Sequence, residues 1–251
     1  MLSRGAPLPL ALKPDGGLEE ARARAGEDRA EREDALEEVT ETERAGMECL
    51  IRHMPEGDLT SLSDEFLVEH VRYAYKAWDA APWKDTVPEE YFFNNVLPYA
   101  SINERRDTWR KDFFERFSPL VAEAKTPSQA TAILNQKIFP MVNVKYSTQR
   151  PKADQSPYES IDASMASCTG LSVLLIDACR SVGVPARFVG TPKWSDDSGN
   201  HSWVEIYDDG WHFTGAAEPT GEELDRAWFT GRASKAVAIS DVYGVFAVSY
   251  K

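Results

Sequence analysis

Two residues of this chain have the type and the setting for covalent chemistry. Cys168 opens the stretch CTGLSVLLIDACRSVG, residues 168 to 183, whose Leu171, Leu174, Leu175, Ala178 and Val182 recur at helical spacing. In the first turn of such a helix a cysteine meets unpaired backbone N–H groups and the positive end of the helix dipole, which stabilise a negative sulfur. A free cysteine is equally a small buried hydrophobe, so position alone leaves both readings open. A nucleophilic thiolate needs a partner that accepts and returns a proton, and the chain has four histidines, His53, His70, His201 and His212. The first two fall on predicted helices of the charged half, and His212 lies across a predicted hairpin, at the surface or behind the site. His201 opens a predicted strand after the polar loop SDDSGN, so its ring stands at an element end that a helix N-terminus can meet. Elimination selects it. Cys179, 11 residues beyond Cys168, lies about 16 Å further along a helix axis, too far for a disulfide, and reads as core.

These residues need elements to hold them. Residues 18 to 46 carry 11 acidic and 5 basic side chains, a solvated charged helix or frayed tail, with Glu20 and Arg24, and Asp28 and Arg32, one turn apart as ion pairs. The first 17 residues are expected to be disordered. From 58 to 139 the pattern is helical: Ser63 before Asp64 and Glu65 starts a helix that runs through Leu67, Val71, Ala74 and Trp78 to a stop at Pro82. A second helical stretch carries Trp109, Phe113, Phe114 and Phe117 as core. Thr126, Pro127 and Gln129 supply a cap, a first-turn proline and a capping-box glutamine for a third. Beyond Pro140 the texture is short strands and turns around the helix that starts at Cys168, with Gly183 suited to end it. ARFVG, HSWVEIY, the turn Asp208 to Gly210 and WHFTG alternate as a hairpin with a neighbouring strand. The predicted fold is α+β, helices first and an antiparallel sheet last. Three segments result: 1–46, an acidic, partly disordered or helical extension; 47–140, a helical subdomain; and 141–251, the core with the chemistry.

Composition narrows the partners. The chain of 251 residues has a net charge of −13, against electrostatic binding of nucleic acid. Three cysteines, Cys49, Cys168 and Cys179, make no disulfide framework and no zinc spacing. APLPLAL, residues 6 to 12, is short and broken by proline, so no signal peptide is predicted. No run reaches the ~20 apolar residues of a membrane span. Trp194, Trp203, Trp211 and Trp228 either pack or line a groove for an extended peptide or sugar.

SCTGLSVLLIDACRSVGVPARFVG, then TPKW, then NHSWVEIYDDGWHFTGAAEP, resembles the core of the transglutaminase-like superfamily, a branch of the papain-like cysteine fold that includes transglutaminases, peptide N-glycanases and protease-like members. The features that carry the resemblance are a cysteine opening an apolar helix, a helix exit GVPAR, and an NHxWVE strand 33 residues after the cysteine. GAAEP, RAWFTGRAS and the earlier DEFLVEHVRYAYKA, PWKDTVPEEYFFNNVLPY and NERRDTWR are similar to a bacterial subgroup, often extracytoplasmic, in which this core follows a helical region. The resemblance spans roughly residues 45 to 246. Compartment is left undetermined, since the subgroup suggests extracytoplasmic and the missing signal peptide cytoplasmic.

The resemblance implies that Cys168 attacks a carboxamide or peptide carbonyl, that His201 moves the proton, and that an acidic residue orients His201. Water or an amine then resolves the thioester. It implies no cofactor and no metal, and a peptide, protein or glycopeptide substrate. One oxyanion donor would be the Cys168 backbone N–H, the second a group between Tyr146 and Ser160. Two positions depart from the family pattern. Thr169 follows the cysteine where many members have glycine, and the family's aspartate, in a pattern like WxxxDP, is absent from WHFTGAAEP. Glu218 is the nearest substitute and Asp225 the alternative. Hydrolysis is expected over cross-linking, because nothing here supplies the extra domains of large cross-linking relatives. The rival readings are a non-catalytic binding or scaffold domain and a metal site on Cys168, His201 and His212, which lacks a fourth ligand.

Overall fold

Ser63 starts the first long helix as its sequence predicts, its Oγ accepting from the Phe66 backbone N–H at 3.2 Å. The computed structural model describes residues 17–251, and the disorder expected before Leu18 and the reading of APLPLAL lie outside the described residues. The N-terminal region forms α1 (Leu18–Arg24), α2 (Arg29–Glu38), α3 (Glu41–His53) and α4 (Asp64–Ala80). Then come α5 (Arg110–Phe117) and α6 (Pro127–Met141), the latter capped by Thr126 Oγ1 on the Gln129 N–H at 3.2 Å. Gln129 reaches past the cap and accepts from Lys125 N instead.

Residues 18 to 38 are not a solvated helix. Ala21, Ala35 and Leu36 are buried in the main core, and so is Arg32, whose guanidinium donates to the carbonyls of Asp58, Leu59 and Leu62. The pair expected between Asp28 and Arg32 is therefore not made. Backbone oxygens left over at a neighbouring turn satisfy the cation, which allows its burial. Arg22 and Arg29 converge on Glu33 outside.

The second half holds α7 (Pro157–Ala163) and α8 (Cys168–Ser181), with the two-residue parallel pair β1 (Lys145–Tyr146) and β2 (Met165–Ala166). β3 (Ala186–Thr191), β4 (His201–Tyr207), β5 (Trp211–Thr214) and β6 (Phe246–Ala247) form an antiparallel sheet in the order β5-β4-β3-β6. This is the predicted α+β architecture. α8 packs across β3 and β4 and against α5, α6 and α7, which explains why it is apolar nearly all round. One buried cluster runs from Ala21 to Ala216 through the helices and α8. A smaller one, Val189, Trp194, Trp203, Phe213, Phe229 and Ala233, lies on the other face of the sheet.

The exit of α8 fixes its position. Gly183 takes φ +78°, the N–H of Val184 bonds to Cys179 O at 2.9 Å and that of Gly183 to Arg180 O at 3.2 Å, the paired bonds of a glycine-terminated helix. A Cβ at 183 would lie 2.7 Å from Ala77 O, so only glycine lets this helix end approach α4. Trp83 Nε1 donates to Gly183 O at 2.7 Å and pins the contact.

Candidate functional site

Cys168 is the first residue of α8, and Ser167 before it makes no side-chain cap; its Oγ donates to Ala153 O at 3.0 Å instead. The first-turn N–H groups thus stay without a side-chain acceptor and face the region of the sulfur. His201 opens β4, and the residues following each meet, Thr169 Oγ1 and Ser202 Oγ at 3.3 Å. That bond ties the start of the helix to the start of the strand. The β1–β2 pair adds a third wall by laying residues 145 to 147 along the segment that leads into Cys168, with Ser147 N donating to Ala166 O at 2.9 Å.

A cleft of about 700 Å³ lies between these walls, and Cys168, His201 and Glu218 all line it. His201 is buried among aromatic rings: the Trp228 and Phe229 centroids are each 4.8 Å from its own, with Trp194 and Trp203 about 6 Å away. Its Nε2 is buried and has no hydrogen-bond partner among the described residues. Burial alone lowers its pKa to about 4, so the ring is neutral at neutral pH.

The bond expected from Glu218 to His201 is not made. Glu218 Oε2 accepts from Trp228 Nε1 at 2.9 Å, and burial raises the carboxyl above its ordinary range against that donated bond. Its location is nevertheless informative. Counting from Trp211, the family's aspartate would stand at 215, where this chain has glycine, and a Cβ on Gly215 would lie 2.3 Å from Glu218 Oε2. The Glu218 carboxylate folds back into the space that a side chain at 215 would fill. Asp225 is elsewhere: it accepts from Phe213 N at 2.9 Å and pairs with His212 Nδ1 at 2.7 Å. Although burial opposes it, that pair and the Asp208 carbonyl raise the His212 pKa. Asp225 is thus bonded to a different histidine, and His212 is absent from the cleft lining, which separates the three residues of the metal reading.

Cys179 is buried, its thiol pushed up to about 12 by desolvation, and its sulfur is 3.8 Å from Thr131 Oγ1. It is core. Of the segment proposed to hold the second oxyanion donor, Tyr146, Thr148, Arg150 and Ala153 line the cleft. Gln155 does not offer its amide, because Nε2 donates to the carbonyls of Glu159 and Met165. Of the four late tryptophans, Trp194 and Trp203 are buried and Trp211 stacks under the Arg187 guanidinium. Trp228, 58% exposed, lines the cleft and is the one that both covers His201 and holds Glu218.

A cysteine at the head of a central helix beside a histidine at the head of an adjoining antiparallel strand is the layout of the papain-like class of cysteine enzymes. Residues 116–215 match the transglutaminase-like superfamily, so this segment of the chain is a transglutaminase-like core. It is also similar, at 18% identity and a TM-score of 0.37 over 56% of its length, to a solved structure named as a candidate cysteine protease from Cytophaga hutchinsonii. The match spans 48%, about half, of that relative. No curated protein sequence matches significantly.

Proposed function

We propose that the protein is a thiol amide hydrolase in which Cys168 is the nucleophile, His201 the proton carrier and Glu218 the residue that orients His201. The observation that carries this is the convergence of all three side chains on one cleft. His201, neutral at pH 7, takes the Sγ proton as sulfur adds to the amide carbonyl carbon, and the oxyanion forms near the uncapped N–H groups of α8. Collapse breaks the C–N bond. The departing nitrogen receives the proton from the imidazolium, leaving a thioester. Water then adds with His201 again as base, and expulsion of sulfur restores the thiol and releases a carboxylic acid.

Glu218 supports the imidazolium at each stage. Oε2 is held by Trp228 and Oε1 has no hydrogen bond among the described residues, so one oxygen can anchor the carboxylate while the other serves the ring. Hydrolysis is preferred to cross-linking because Cys168 is partly exposed and Trp228 in the same cleft is open to solvent, so water reaches the thioester without a site of its own. Incorporation of a labelled primary amine faster than glutamine deamidation would reverse that preference.

The test is a pair of cysteine variants. Cys168→Ala should abolish amidase and peptidase turnover with the melting transition preserved, since it removes a partly exposed atom at a helix end. Cys179→Ala should lose about 1 kcal/mol or more of stability, yet keep its activity per folded molecule. Equal turnover by wild type and Cys168→Ala sinks the proposal.

A further inference from the structure

The cleft has an electrostatic character opposite to that of the chain. The protein carries a net charge of −13, yet the charged residues lining the cleft are Lys145, Arg150 and a single acid, Glu218. Glu218 already accepts the Trp228 N–H. Lys145, on β1, is exposed and in no ion pair among the described residues. Arg150 gives Nη1 to Thr148 O at 2.9 Å, but its Nε is buried with no partner among the described residues. Nearby Lys152, outside the cleft lining, is neutralised by Glu159 at 3.0 Å. Among the described residues the two cations inside thus form no ion pair, while the one beside them is paired.

Concave surfaces lined by one sign of charge concentrate their field, and an orphaned guanidinium N–H gains from an anionic acceptor. Lys145 is on the wall that β1 lays beside the approach to Cys168, and Arg150 lies in the segment that follows it along the cleft. We infer that Lys145 and Arg150 form a carboxylate subsite and that the acyl donors taken by this cleft are acidic peptides, with a free carboxylate near the amide under attack. That carboxylate can be an Asp or Glu side chain or a chain terminus. This rests on Cys168 being the nucleophile, as proposed above.

A pair of alkylating reagents of nearly equal size tests the subsite without turnover. Iodoacetate is an anion and iodoacetamide is neutral, and the ratio of their rates at Cys168, followed by peptide mapping, reads the local field. Lys145→Gln/Arg150→Gln should lower that ratio by about fivefold or more at low salt, and added salt should narrow the gap. An unchanged ratio overturns the inference.

Calorimetry on Cys168→Ala protein gives a second readout. Its probes are acetyl-Ala-Ala-Glu-Ala-Ala-amide, the same peptide with Gln for Glu, and the Gln peptide with a free C-terminal carboxylate. Tighter binding of the Glu peptide assigns the subsite to an acidic side chain, and tighter binding of the free-carboxylate peptide to a chain terminus. In either case the preference should vanish in the Lys145→Gln/Arg150→Gln background. Equal or no binding by all three overturns the inference. If Cys168 reacts with neither reagent, the thiol-hydrolase proposal fails, and the peptides alone decide the subsite.

Discussion

His201 is neutral at pH 7, the state from which the proposed proton carrier starts, and among the described residues it lacks the hydrogen bond that would hold it. Its buried Nε2 is unpaired, while the carboxylate in the same cleft is bonded to Trp228. Trp228 therefore has two separable contributions, a ring against the imidazole and an N–H on Glu218. Trp228→Phe keeps the first and removes the second. Loss of a hydrogen bond to a charged group costs about 1.5 to 3 kcal/mol, so kcat should fall roughly tenfold or more with KM little changed. Glu218→Gln should cut turnover on the order of 10² by analogy with amide replacement of a triad carboxylate. Asp225→Asn, which disturbs His212 instead, should remain near wild type. If Asp225→Asn is crippled while Glu218→Gln is nearly normal, the orienting role moves to Asp225. Cys168 and His201 were legible because each opens an element whose periodicity is visible in the chain. The Trp228 clamp was not. It joins residues 10 apart through irregular chain, where no periodicity says which side chains meet; the sole hint was an aromatic pair, Trp228 and Phe229, after the sheet.

Among the elements, α8 carries the site at its start and depends on Gly183 at its end. Gly183→Ala would put an L residue at φ +78° and a methyl 2.7 Å from Ala77 O. The left-handed conformation costs about 1 kcal/mol or more before the clash is added. At this chain length each kilocalorie lowers Tm by about 2 to 4 °C. Thermal melts should show a loss of several degrees, with alkylation of Cys168 per folded molecule retained, since the substitution is at the far end of the helix. A shift of only about 2 to 4 °C would mean that α4 yields to the methyl, and one below about 1 °C would contradict the backbone strain as well. α8 and β3 to β5 could be read from sequence because their apolar spacing, glycine exit and turn residues are local signals. β1, β2 and β6 could not: each is two residues long and exists through pairing with distant chain. The acidic start shows the same boundary. Its charge pattern describes a solvated helix, but burial of Arg32 depends on the carbonyls of Asp58, Leu59 and Leu62, which become neighbours only after folding.

Across the whole molecule, buried cations stitch the helical half to α8. Arg180 donates to the carbonyls of Asn95, Pro98, Ala100 and Ala186, and Arg110 to those of Leu97, Pro98 and Arg180. His70 completes the arrangement in one protonation state. Its Nδ1 accepts from Arg110 Nε at 3.3 Å and its Nε2 donates to Asp107 O at 3.2 Å, so the ring must be neutral. Burial first, then the Arg110 charge, lowers its pKa well below the ordinary histidine value. A depressed histidine stabilises the fold above its unfolded pKa of about 6.5, and that contribution is lost as pH falls. Each pH unit below about 6.5 costs up to about 1.4 kcal/mol until the folded pKa is reached. His201, lowered to about 4, adds the same trend over its own window. Both histidines therefore pull the melting temperature down between pH 7 and pH 5, against the buried Asp177 carboxyl, whose pKa desolvation raises and which adds stability as pH falls. His70→Gln can still donate to Asp107 O and accept from Arg110 without gaining a proton. It should lower Tm at pH 7 but flatten the decline toward pH 5, with His201→Gln as the separate control. If His70→Gln keeps the wild-type decline while His201→Gln removes it, the acid sensitivity belongs to the cleft and not to the buried seam.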